Sequence, residues 1–91
     1  MNGGLTGITP EAMRARLEEL LAPTLVEVID ETSQHAGHAG ADGSGYGTHF
    51  RVRIASPLFE GRSRVARHRL VYDALQDFVA RGLHALAIET L

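Results

Sequence analysis

The first recurring pattern along the chain has helical spacing. Met13, Leu17, Leu20 and Leu21 stand at i, i+4, i+7 and i+8, one apolar stripe of an amphipathic helix. Thr9-Pro10-Glu11 supplies a capping hydroxyl, a proline suited to the first helical position, and an acid suited to the positive end of the dipole. Pro23 stops the helix. The period then drops to two. Leu25 to Glu31 is a β-branched-rich strand, and Thr48 to Ala55 alternates, with Phe50, Val52 and Ile54 on one side and His49, Arg51 and Arg53 on the other. Residues 32–47 hold five glycines between Gly37 and Gly47 and read as a long Gly/His loop closing a hairpin. Ser56-Pro57 ends the second strand, and "LFEG" is a turn. Ser63 caps a longer helix from Arg64 to Arg81, whose buried stripe is Val71, Ala74, Leu75, Phe78 and Val79. Gly82 is its C-cap, and Leu83 to Thr90 is the last strand.

The expected order is therefore α-β-β-α-β in one α+β domain over residues 1–91, with residues 1–8 as a flexible N-terminus. Both helices pack on one face of a three-stranded sheet. The last strand follows a helix, which allows parallel pairing with one hairpin strand and a mixed sheet.

Composition narrows the function. A chain of 91 residues leaves little room for a deep multi-residue active site. It has no cysteine, no signal-peptide pattern and no apolar run long enough to span a bilayer, so a cytoplasmic monomer without membrane contact is expected. The net charge of −2 argues against a bulk nucleic-acid binder. The distribution is less even. Arg51, Arg53, Arg62, Arg64, Arg67 and Arg69 fall in one stretch whose only acid is Glu60, six minus one, or +5 locally.

The apolar logic breaks in two places. At about 100° per residue, Arg64, Arg67 and His68 project from the same side as Val71 and Leu75, so cations replace the core stripe in the first helical turns. Cations there oppose the helix dipole. Either they pair with Asp30, Glu31 or Glu60, or they meet an external anion such as a phosphate backbone or an acidic partner.

The second break is histidine. His84 lies on the strand side that carries Leu86 and Ile88, while His35 and His38 lie in the glycine loop. A lone histidine on an apolar face is usually a hydrogen-bonded core edge. Two or three within mutual reach would make a metal site for zinc, iron or copper. Without thiolates the chain cannot close a tetrahedral site alone, so an open site needs outside ligands; a plain zinc or copper carrier using His35, His38 and His84 is the simplest version.

Enzymatic readings find little support. None of Ser33, Ser44, Ser56 and Ser63 sits in a G-x-S-x-G context. Adjacent Asp30 and Glu31 point to opposite faces of a strand and cannot act as a close pair. No enzyme activity is expected.

"FEGRSRVARHRLVYDAL" (Phe59 to Leu75), "GLHALAI" (Gly82 to Ile88) and "THFRVRI" (Thr48 to Ile54) resemble the BolA family, and the "HAGHAG" loop resembles its histidine-loop, bacterial-type branch. The resemblance implies a class II KH-like fold and a partnership with a monothiol glutaredoxin as a heterodimer. It implies a [2Fe-2S] cluster shared with that glutaredoxin and glutathione, none being tightly held by this chain alone. His84 would be one ligand and His35 the other, with His38 as substitute. Histidine in place of cysteine raises a cluster's potential, as in Rieske centres, and makes binding proton-sensitive. The resemblance also implies transcriptional regulation through duplex DNA, with Arg62, Arg64, Arg67, His68 and Arg69 at the contact. One departure bears on this: where a KH module has G-x-x-G, this chain reads Phe59-Glu60-Gly61-Arg62, so arginines would have to grip the backbone.

Overall fold

The computed structural model describes residues 8–32 and 49–91. Helix α1 (Pro10–Leu21) leads into strand β1 (Leu25–Asp30), strand β2 (His49–Ala55), a 3₁₀ turn at Pro57–Phe59, helices α2 (Arg64–Ala74) and α3 (Gln76–Ala80), and strand β3 (Ala85–Thr90). The sheet order is β1-β2-β3. β1 pairs antiparallel with β2, Val28 opposite Val52, and β3 pairs parallel with β2, Val52 opposite Ile88. The expected mixed α+β sheet is present.

α1 starts where its caps require. Thr9 is extended, and its hydroxyl accepts from the Ala12 amide at 3.1 Å. Met13, Leu17 and Leu21 are buried, but Leu20 is 51 % exposed and leaves the expected stripe. Spacing of four keeps a residue on the sheet-facing line, and Leu20 lies one step off it. Of the N-terminus expected to be flexible through residue 8, Ile8 is in the core, and residues 1–7 lie outside the described residues.

The long second helix is two helices. Leu75 (φ −103°, ψ 15°) departs from helical ψ at the junction, yet its side chain is fully buried. The break re-aims α3 so that Phe78 is buried while Val79 is 45 % exposed, against the expected stripe. α3 ends at Ala80 rather than Arg81. After Gly82, at φ 122°, the Leu83 amide bonds the Phe78 carbonyl at 3.0 Å and its side chain enters the core. Leu83 is thus a plug, and the strand begins only at Ala85.

Phe50, Val52 and Ile54 meet Met13, Leu17, Val71, Leu75 and Phe78 in a single cluster. "LFEG" is more than a turn, since Phe59 is buried at the end of a 3₁₀ turn capped by the Ser56 hydroxyl. Among the described residues, the other face of the sheet carries no helix and is a ladder of charge. Arg51 Nε donates to Glu31 Oε2 at 2.8 Å and its Nη1 to Glu89 Oε2 at 2.7 Å. Arg53 Nη1 donates to Glu27 Oε1 at 3.1 Å and its Nε to Glu89 Oε1 at 3.2 Å. Among the described residues, no helix is long and apolar enough to cross a membrane.

Candidate metal and partner site

Parallel pairing aligns the starts of β2 and β3. His49, the first residue of β2, faces Ala85, the first residue of β3. His84 therefore arrives beside His49, their rings 5.4 Å apart between centroids and tilted by 59°. His84 is exposed. It lies just before the strand, where the turn from Gly82 and the Leu83 plug leave it outside the core. The sequence placed His49 on the charged face and gave it no part in the site. The signal that could have found it was available: a parallel pair of strands with a histidine at the start of one and just before the start of the other.

At the same sheet end lie the two points where the described chain leaves after β1 and resumes at β2. The Glu31 amide donates to the His49 carbonyl at 2.8 Å. Thr32 is buried; its hydroxyl accepts from the His49 amide at 3.0 Å and donates to the His49 carbonyl at 3.3 Å. A single threonine thus ties the outgoing strand to the incoming one. A cavity of about 330 Å³ opens there, lined by Glu31, His49, Arg51, Ala85 and Ala87 among others. His35 and His38 lie outside the described residues. The chain that carries them leaves after Thr32 and returns at His49, and three residues beyond Thr32 is a covalent reach of about 10 Å.

The described residues contain no group of three or more histidine, cysteine, aspartate or glutamate side chains able to hold a metal ion. Two imidazoles side by side at a sheet end suit a site completed by ligands from elsewhere: imidazole is a nitrogen donor to a metal, and His84 is exposed.

The basic residues divide into two sets. Arg51 and Arg53 are compensated by the carboxylates of the open face, which raise both guanidinium pKa values above the ordinary arginine range. For Arg51 the leading cause is the hydrogen bond to Glu31, followed by that to Glu89; for Arg53 it is Glu27, then Glu89. Arg62, Arg64, Arg67 and Arg69 make no ion pair with any described acid, so the expected pairing with Asp30, Glu31 or Glu60 does not occur. Glu31 is engaged by Arg51, and the Asp30 carboxylate accepts from the Thr32 amide at 2.9 Å. Arg62 Nε donates to the Leu58 carbonyl at 2.8 Å and Arg67 Nε to the Arg62 carbonyl at 3.0 Å, so both are held by main-chain oxygens and not by carboxylates. His68 is half-buried beside Arg64 on the β3 flank of α2. Gly61, at φ 76°, makes the tight turn before this helix.

Comparison with known proteins agrees with this architecture. The chain is 52 % identical over 79 residues to SufE-like protein 1, chloroplastic/mitochondrial, of Arabidopsis thaliana, covering 84 % of this chain and 21 % of that protein. It is 45 % identical over 83 residues to mouse BolA-like protein 1, covering 91 % of this chain and 57 % of the relative. The chain thus spans only a part of these two relatives. The solved BolA domain of SufE1 from Arabidopsis thaliana superposes with a TM-score of 0.77 at 47 % identity, covering 89 % of this chain and 87 % of that one. The family profile described as BolA-like protein matches residues 17–91, and the chain belongs to that family.

Proposed function

We propose that the protein is a non-catalytic adaptor that shares a [2Fe-2S] cluster, as cargo, with a monothiol glutaredoxin. The observation that carries the reading is the exposed His84 beside His49, at the sheet end where the loop bearing His35 and His38 is rooted. His84 would be one ligand of the cargo and His35 the other, with His38 as substitute; the sulfur ligands would come from the glutaredoxin and its glutathione. The chain's own contribution is rigidity and donor type. The Thr32 clamp holds the loop neck, the Leu83 plug fixes the turn from which His84 projects, and imidazole in place of thiolate lowers the negative charge on the cluster. A zinc or copper carrier is the simpler use of the same imidazoles, and elemental analysis of protein purified alone separates the two.

Mixing the protein with a cluster-loaded glutaredoxin is expected to shift the visible spectrum of the cluster, and His84→Ala to abolish that shift. A shift that survives in His84→Ala removes this residue from the ligand set.

A second reading is contact with duplex DNA, favoured by one observation: Arg62, Arg64, Arg67 and Arg69 have no acidic partner among the described residues. It requires log affinity to fall against log salt with a slope of about −0.9 per phosphate neutralised. Charge reversal at Arg64 and Arg67 should then remove binding, whereas Arg53→Ala should leave it in place.

A further inference from the structure

Among the described residues β3 is an edge strand of the sheet, with no further strand beside it. The Leu91 amide donates to the Ile54 carbonyl at 2.9 Å, so odd-numbered residues of β3 direct their backbone groups toward β2. Leu86, Ile88 and Thr90 therefore direct theirs outward. The Tyr72 hydroxyl reaches over and donates to the Leu86 carbonyl at 3.3 Å, which confirms the direction and takes up one of these groups. Among the described residues, the outward groups of Ile88 and Thr90 have no hydrogen-bond partner. Edge strands are commonly blunted by proline, lysine or a bulge. β3 reads Ala-Leu-Ala-Ile-Glu-Thr and has neither proline nor lysine; its one charge, Glu89, is held on the open face by Arg51 and Arg53.

Beside this edge runs a groove of about 230 Å³, lined by Arg64, His68, Ile88, Glu89 and Thr90. Its floor is the half-buried side of β3 and its wall is the flank of α2. The wall is graded. Arg64 and His68 stand at the Ile88–Thr90 end, and Tyr72, 45 % exposed, stands at the Leu86 end. The opposite edge of the sheet differs. β1 carries Glu27 and Asp30, and the groove between it and α1 is lined by Glu11 and by Arg14, which pairs with Glu18.

We propose that the β3 edge is a docking groove for an extended segment of another protein, added as a fourth strand, acidic where it passes Arg64 and apolar where it passes Tyr72. Strand addition satisfies the outward amides and carbonyls of β3, and the uncompensated Arg64 selects the acidic side chains. The β1 edge offers the same segment no equivalent cation, because the arginine in its groove, Arg14, is paired with Glu18.

The probe is a short capped peptide alternating threonine with valine, valine, glutamate and glutamate, together with its reverse, which covers both strand directions. With the intact chain, one of the two is expected to bind saturably, to shift the amide resonances of Ile88 and Thr90, and to slow their hydrogen exchange by at least about tenfold. N-methylating the peptide amides that face β3 should weaken binding by more than about tenfold with charge unchanged. Arg64→Glu, an exposed position, should reverse the preference from the glutamate peptide to a lysine counterpart. Equal binding by the N-methylated peptide would reduce the effect to charge alone and overturn the proposal. So would unmoved Ile88 and Thr90 amides in both directions. Two further results count against it: a duplex oligonucleotide that takes the same amides more tightly, and concentration-dependent shifts without peptide, which would assign the edge to a second copy.

Discussion

Glu89 is the residue on which the open face of the sheet turns. Its two oxygens accept separately from Arg51 and Arg53, and each arginine holds a second carboxylate on β1 or just after it. Cross-strand opposite charges on one face stabilise a sheet modestly, and exposed pairs are screened by salt. A guanidinium whose pKa is raised by folding contributes stability below the ordinary arginine value and loses it only as pH rises through the higher folded value. Across the neutral range the ladder therefore stays charged on its arginine side. Glu89→Gln is expected to lower the melting temperature slightly at low salt, and the gap from the parent should shrink as salt is added; a gap that grows with salt would contradict the ladder. The clustering of arginines between positions 51 and 69 was legible in the sequence. That two of them are neutralised and four are not depends on strand register, which places Glu27 opposite Arg53 and Glu89 beside it.

At the scale of elements, periodicity located each helix and strand, and packing decided where each stopped. α1 is the simplest case. Leu17 and Leu20 were equal members of a stripe on spacing alone, but one is fully buried and the other half exposed. Leu17→Ala is expected to cost about 2–5 kcal/mol and Leu20→Ala within about 0.5 kcal/mol, measured by urea denaturation. Equal costs would mean that α1 sits rotated from the orientation described. The break at Leu75 was not legible, because Leu75, Gln76 and Asp77 include no proline or glycine. It arises where burying Leu75, Phe78 and then Leu83 over a short distance demands a change of axis. The same demand pulls Leu83 out of the expected strand and leaves His84 at the surface.

For the whole molecule, what matters is which ends the sheet brings together. A parallel β2–β3 pair set beside an antiparallel hairpin puts three things at one end: the start of β2, the start of β3 and the neck of the loop. The candidate site occupies that end; the uncompensated arginines and the free edge of β3 line the helix side. Because His84 is exposed and outside the core, His84→Ala is expected to leave urea stability within about 0.5 kcal/mol of the parent. Loss of the cluster shift in that variant would then report ligation, not unfolding. A large stability loss would instead give His84 a structural role.

By itself the sequence determined the element order, the face each strand buries, the mixed α+β class and the family, because these follow from local period, caps and short motifs. It also singled out His84 as out of place on an apolar strand. Only the tertiary structure decided that His84 faces solvent with His49 beside it, which arginines are compensated, and which sheet edge is open. Those depend on register and on contacts between residues far apart in the chain, and local spacing carries no information about either.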